Sequence, residues 1–441
     1  LNIDIIPLSI FILAGMVILL LSGLPIAFVT GTIACIVSVV IWGPASLEVV
    51  LNIVTGFMKN YIFIAGPMFI LMANFLDRSG VVENLFQAVR VWFGPIGGGL
   101  AITSIIAGTI MAATTGIIGG AVVTLTLIAL PIMLRHGYNK TIALASIMGG
   151  ADLGTLIPPS IVFIVFGFVS GASIGQLFIA GIFPGLLLSG LYCIWVIASC
   201  LIDPKLGPPL PPEERGVPLK QKLMLGKGLI LPIILIILVL GSIYGGLATP
   251  TEAGAVGSLG ALLCAAVHRK LSWKMLRDSV YITVEATCMM TWIAFGSLTL
   301  AAVYGLAGGT EFIKRLMIAL PVSPLAVIIF MTVVLIFLGM IIDWLGILFL
   351  TIPLFAPVVT ALGYDLVWFG VIFVLTIQIA YVSPPFAQAA FYVKGAAPPE
   401  ITMGDLYKSS LPLIVLILVC LVIVVVFPEV VLWLPHQMIT K

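Results

Sequence analysis

The chain has 441 residues, of which 62% are hydrophobic and 8% charged, with a formal net charge of +2. Globular domains run at about 45–50% apolar and about 25% charged, so a soluble enzyme, a disordered chain and a nucleic-acid binder are excluded. Runs such as Leu229–Leu240 and Leu413–Phe427 do not alternate as barrel strands do. The composition therefore predicts a polytopic α-helical membrane protein with room for roughly 11–14 spans.

Residues 1–43 form two apolar runs broken at Ser22-Gly23-Leu24-Pro25 and read as retained spans, without the cleavage pattern of a signal peptide. Apolar segments follow at 61–77, 96–112, 117–134, 140–170, 177–202, 228–247, 253–267, 280–305, 324–341, 345–360, 366–382, 384–397 and 410–433. Between them, 45–59, 82–93, 270–279 and 310–319 mix charge with apolar residues at helical spacing. These read either as amphipathic helices in the interface or as extensions of their neighbours. The longest polar stretch, 203–227, is rich in proline and carries Lys205, Arg215, Lys220, Lys222 and Lys227. A second basic cluster, His268 to Arg277, lies two apolar segments later and so on the same side. Lys and Arg favour the cytoplasm, which makes that side the inside.

The six cysteines sit in apolar runs without a CxxC pair, and the three histidines lie near segment ends. No zinc or haem site, disulfide framework or ATP-binding loop is expected. In Thr249-Pro250-Thr251-Glu252 a threonine can cap a helix with Glu252 in its first turn. Glu285 has no evident local role.

The halves repeat. A shift of 226 residues superposes Gly120 on Gly346, Pro131 on Pro357, Gly137-Tyr138 on Gly363-Tyr364 and Pro158-Pro159 on Pro384-Pro385, without a gap. The turn of the first copy carries Arg135, His136 and Lys140, whereas 361–366 carries only Asp365. By the positive-inside bias the equivalent turns face opposite sides, so the repeats are expected to be inverted. Inverted repeats with broken helices are an architecture of secondary transporters, whose sites lie where the copies meet.

Each Pro-Pro pair interrupts an apolar segment and removes backbone donors. In a membrane the freed carbonyls need a protein-walled cavity or a ligand. With the hydroxyls of Thr155, Ser160, Thr376 and Ser383 they suit a hard cation such as Na+; the alternative is a pair of plain kinks. Six residues before each pair stand Asp152 and Gln378, equivalent at the same offset. A buried acid costs about 2.5 kcal/mol or more on insertion scales, so Asp152 is expected to coordinate a cation, couple a proton, cap the break or pair with Gln378. Thr114-Thr115-Gly116 in one copy, and Gly339 with Asp343 in the other, mark the midpoints of helical hairpins; glycines such as Gly119-Gly120 also suit close helix packing.

Leu153-Gly154-Thr155-Leu156-Ile157-Pro158-Pro159-Ser160, Thr249-Pro250-Thr251-Glu252-Ala253-Gly254-Ala255, the Ser383-Pro384-Pro385 region and the ending Phe427-Pro428 to Trp433-Leu434-Pro435 carry a resemblance over essentially the whole chain. The chain resembles the large membrane (permease) subunit of tripartite ATP-independent periplasmic (TRAP) transporters. Asp343-Trp344, Phe391 and Gly395 to Pro399 are similar to the mannitol, chloroaromatic and 2-oxo-acid branch. The resemblance implies an elevator-type carrier in a bacterial inner membrane. It would be driven by Na+, supplied with a small organic anion by a periplasmic substrate-binding protein, and braced by a small four-helix membrane subunit.

The implied division is scaffold at 1–95, a first transport repeat at 96–175, scaffold at 176–320, a second transport repeat at 321–400 and a C-terminal helix at 401–441. The implied substrate- and ion-binding residues are Thr114, Thr115, Gly116, Asp152, Thr155, Pro158, Pro159, Ser160, Gly339, Asp343, Thr376, Gln378, Ser383, Pro384 and Pro385. Two departures stand out. Thr115-Gly116-Ile117-Ile118 replaces a Ser-Gly-Ser-Ser run common at the first tip, and Asp152 replaces a small or hydroxyl residue. A self-sufficient ion- or proton-coupled carrier of related fold is the alternative, while an intramembrane enzyme lacks a nucleophile–base pair.

Overall fold

The computed structural model describes residues 4–115, 118–215, 218–226 and 230–438, and they fold into helices without a strand. The helices follow the breaks in the sequence. α1 (Ile5–Leu21) and α2 (Ile26–Trp42) part at the Ser22–Pro25 turn. α3 (Leu47–Met58) leads into α4 (Ala65–Asp77), with a 52° bend between Pro44–Met58 and Tyr61–Asp77. α5 (Val81–Phe93) precedes a helical hairpin, α6 (Gly99–Thr115) and α7 (Ile118–Arg135). α8 (Lys140–Asp152), a short 3-10 turn and α9 (Ile161–Ser170) are the two halves of one broken helix. α10 (Ile174–Ile202), α11 (Pro212–Arg215), α12 (Leu219–Gly226), α13 (Ile230–Tyr244) and α14 (Pro250–Val267) follow.

The second half opens with the long α15 (Trp273–Leu306), then α16 (Gly309–Ile318). A second hairpin, α17 (Pro324–Gly339) and α18 (Trp344–Ala361), precedes the second broken helix, α19 (Leu366–Val382) and α20 (Gln388–Ala396). α21 (Met403–Val426) and α22 (Glu429–Leu432) complete the chain. Of the amphipathic segments, 82–93 and 310–319 are helices of their own, α5 and α16, whereas 270–279 runs straight into α15.

Six described helices are long and apolar enough to cross a bilayer, or up to eight when each bent pair counts as one span. This corrects the roughly 11–14 spans that length suggested. The difference lies in apolar helices of 10–17 residues, among them α1 and α2 as well as hairpin arms and half-helices, while the hairpin arms α7 and α18 are among the six.

The repeat is carried by identical stop and start signals. α7 ends with Gly137 at φ 76 and α18 with Gly363 at φ 82, the left-handed conformation that glycine adopts without a Cβ penalty. In both, the next residue closes the motif: Tyr138 N donates to Met133 O at 3.0 Å and Tyr364 N to Val359 O at 3.1 Å. Asn139 then accepts from Thr141 N, and Asp365 from Val367 N, to cap α8 and α19. Thr249 and Glu252 form a full capping box at the start of α14, as their order suggested.

Polar contacts also orient the copies. Loop 203–215 lies against the turns flanking the first hairpin: Gly98 N donates to Gly207 O, Asn139 N to Leu206 O and Leu210 N to Gly94 O, while Arg90 pairs with Glu214. The base of the first hairpin therefore shares the basic face. The first broken helix starts there, at Lys140, and ends at Ser170, which lines a cavity together with Thr360, Ala361 and Leu366 at the base of the second hairpin. The second broken helix starts at that far face. It ends where Lys394 donates to Ile401 O and Lys140 to Glu400 O. The two broken helices thus run in opposite directions, and the repeats are inverted.

Candidate functional site

Both breaks follow from missing donors. In a continuous helix residues 158 and 159 would donate to Gly154 and Thr155, and residues 384 and 385 to Ala380 and Tyr381; proline has no N–H to give. α8 accordingly stops at Asp152 and α19 at Val382, and both Pro-Pro bonds are cis. Nearby hydroxyls take over part of the pairing. Thr155 Oγ1 donates to Asp152 O at 2.9 Å, and Ser160 Oγ donates to Thr155 O.

Close packing brings the first break to the first hairpin. A Cβ on Gly108 would stand 2.4 Å from the carbonyl carbon of Gly150, and one on Gly150 would stand 2.8 Å from Ser104 O. No side chain other than hydrogen fits at this crossing of α6 and α8.

Hairpin tips and breaks meet around a cavity of about 130 Å³. One wall comes from the repeats: Ile118 and Gly119 of α7, Thr155, Ile161 and Val162 of α9, Asp343, Trp344 and Leu345, Tyr381, and Gln388 and Tyr392 of α20. The facing wall comes from Ile70 of α4 and from Ala286, Met289 and Met290 of α15. Ile161 with Val162, Trp344 with Leu345, and Gln388 are the first residues of α9, α18 and α20, and Ile118 is the first described residue of α7. Helix starts thus converge on one cavity, and their N–H groups favour negative charge. Among the described lining residues Asp343 alone is charged, and none is Lys, Arg or His. Its carboxylate caps α18, accepting from Leu345 N at 3.1 Å.

The sequence-derived site residues separate into groups. Thr155 and Asp343 line the cavity. Asp152, Gln378 and Ser160 are fully buried and do not line it; Gln378 Nε2 donates to Asp152 O at 3.0 Å and to Thr155 Oγ1 at 3.1 Å. The hydroxyl of Thr376 bonds within its own helix, to Ile372 O at 2.7 Å. Gly339 ends α17 and abuts α19, where a Cβ would stand 2.4 Å from that of Ala380. Pro158, Pro159 and Ser383 are buried, whereas Pro384 and Pro385 are exposed. Thr114 and Thr115 are the last residues of α6, and Gly116 lies outside the described residues. Glu285 is exposed on α15, one turn before Met289.

Tyr381, Gln388, Tyr392 and the Met289-Met290 pair were not singled out in the sequence, and Trp344 was noted only for the branch resemblance. For Tyr381 a signal existed, because it is the counterpart of Thr155 at the 226 offset. The others come from elements that pattern alone does not bring together.

A family model described as the DctM component of the tripartite ATP-independent periplasmic transporter matches residues 13–430. The chain belongs to this family. It is 28% identical over 439 residues to the C4-dicarboxylate TRAP transporter large permease protein DctM of Vibrio cholerae, covering 95% of each chain. It is 31% identical over 433 residues to the ectoine/5-hydroxyectoine TRAP transporter large permease protein UehC of Ruegeria pomeroyi, covering 97% of this chain and 98% of that one. The fold is similar to the crystal structure of the Alcanivorax borkumensis YdaH transporter, with a TM-score of 0.64 and 18% identity over 88% of this chain and 89% of that one. The DctM-family chain is a multi-pass protein of a bacterial inner membrane. Its relatives' names support the family and do not support the narrower mannitol, chloroaromatic and 2-oxo-acid branch.

Proposed function

We propose that the chain is the permease of a Na+-coupled importer of a small organic anion of the carboxylate class. A periplasmic binding protein delivers the cargo, a small four-helix membrane subunit braces the scaffold, and the repeats carry the cargo across in an elevator movement. The observation that carries this reading is the cavity of convergent helix starts whose only charged residue, among the described lining residues, is Asp343. Helix N-termini attract a carboxylate without a basic side chain. Asp343 opposes it: like charges a few ångströms apart repel by about 4 kcal/mol at an effective dielectric of about 20. A cation beside Asp343 removes that repulsion, so anion and cation bind best together, which is the requirement for symport.

The free carbonyls and hydroxyls of the breaks supply the hard oxygen ligands that Na+ prefers. A relative named for C4-dicarboxylates is in keeping with an anionic cargo. The wall facing the repeats belongs to α4 and α15, so sliding the repeats along it moves the cavity between the two sides. Uptake into proteoliposomes tests the proposal. Transport is expected with Na+ outside, binding protein present and small subunit co-reconstituted. Equal uptake with K+ replacing Na+, or without the binding protein, overturns the corresponding part.

A further inference from the structure

Behind the cavity lies a group of buried polar atoms that the cargo site does not use. Asp152 is 0% exposed and neither carboxylate oxygen has a hydrogen-bond partner. Gln378 is 0% exposed and its side-chain carbonyl oxygen is unpaired; Tyr192 of α10 is 1% exposed and its hydroxyl is unpaired. Among the described residues no Lys, Arg or His forms an ion pair with Asp152.

The orientation of Gln378 is fixed by its bonds. Its NH2 group donates to Asp152 O and to Thr155 Oγ1, while the proton of Thr155 goes to Asp152 O. Reversing the amide would set its carbonyl against another carbonyl, so the oxygen end is the unpaired one. Tyr192 packs on the same face of α8 as Asp152. Its ring carbons stand 3.1 and 3.3 Å from where a Cβ of Gly149 would lie, one turn before Asp152.

A carboxylate withdrawn from water without donors or a counter-charge is strongly unfavourable. Carboxylate and amide oxygens that accept from no donor, with a phenol oxygen whose lone pairs are free, are ligands a hard cation can take. We propose that Asp152, with Gln378 Oε1 and Tyr192 Oη, holds one Na+ at a site separate from the cargo cavity. The proposal rests on the Na+-coupled reading above and adds an ion to it. Gln378 joins the two sites: the amide that offers its oxygen to the ion holds with its nitrogen the hydroxyl of Thr155, which lines the cavity.

Equilibrium binding of radioactive Na+ to the purified full chain in detergent tests this, with K+ and choline as competitors. Asp152→Asn, which keeps the shape of the side chain, is expected to bind one Na+ fewer per chain than the unaltered protein. Tyr192→Phe keeps the ring and is expected to weaken Na+ at this site about tenfold, equivalent to about 1.4 kcal/mol. It serves in place of Asp152→Asn should that variant not fold. Unchanged Na+ stoichiometry in Asp152→Asn, or unchanged affinity in Tyr192→Phe, overturns the site. So does a variant whose Na+ binding is intact but whose pH dependence has vanished, since the occupant would then be a proton. If the unaltered chain binds no Na+ at all, the Na+-coupled reading falls too; if it binds and the variants match it, this site alone falls.

Discussion

Gln378 reaches across the repeat boundary and donates its amide to the backbone carbonyl of Asp152, its own counterpart 226 residues earlier, at 3.0 Å. Equivalent positions of a two-fold arrangement approach each other only near the axis. The contact therefore marks where the two copies meet, one helical turn from Thr155 on the cavity wall.

Replacing Gln378 with Leu removes both donations while keeping most of the volume. The carbonyl of Asp152 keeps the Thr155 hydroxyl, but the buried oxygen of Thr155 loses the N–H it accepts from. A loss of about 1–3 kcal/mol is expected, read as a lower midpoint of thermal unfolding in detergent. An unchanged midpoint would mean that the contact does not join the copies in solution.

The crossing of α6 and α8 makes a paired comparison possible. Gly150→Ala places a methyl 2.8 Å from Ser104 O, whereas Gly190→Ala on α10 meets nothing within 4 Å. Overpacking of this kind costs about 1–3 kcal/mol, and the movement of α8 displaces Thr155 from the cavity wall. Uptake is expected to fall at least severalfold for Gly150→Ala and to stay near normal for Gly190→Ala, at matched protein levels in the membrane.

Asp343→Asn separates charge from capping, because asparagine caps a helix about as well as aspartate. α18 is expected to keep its start and the cavity to lose the only charged residue among its described lining residues. Cargo binding without Na+ should strengthen by roughly tenfold or more, given the size of a like-charge repulsion at this range, and its Na+ dependence should flatten. Titration of cargo in the absence and presence of Na+ reads both changes, and a fall in Na+-free affinity would contradict the electrostatic argument.

Tyr138 offers a test at the turn between α7 and α8. It is buried, and its hydroxyl accepts from Leu100 N at 3.1 Å. Burial pushes its pKa up to about 12, against an ordinary value of 10.0. The unfolded chain therefore loses this proton first, and stability present below pH 10.0 declines as pH rises towards about 12. Tyr138→Phe should cost about 1–3 kcal/mol at neutral pH by leaving an N–H unpaired. It should also remove up to about 1.4 kcal/mol per pH unit from the alkaline slope of unfolding. An unchanged slope would show that other groups control alkaline unfolding.

Membrane class, the repeat and both helix breaks were legible in the sequence because their causes are local. A Pro-Pro pair withholds donors wherever the chain goes, Gly137 and Gly363 stop their helices by their own conformational freedom, and Arg135 and Asp365 set opposite charge on matching turns. Span number was not legible, since full-length helices, hairpin arms and half-helices are equally apolar and differ only in where each one stops. Which polar groups share a compartment was decided by tertiary packing alone. Thr376 has the right chemistry but spends its proton inside α19, whereas Met289, Met290 and Tyr392 carry no distinguishing pattern and still line the cavity. Its walls come from α4, α7, the 3-10 turn before α9, α9, α15, α18, α19 and α20, and the distances between them depend on where glycines such as Gly108 and Gly150 let backbones touch.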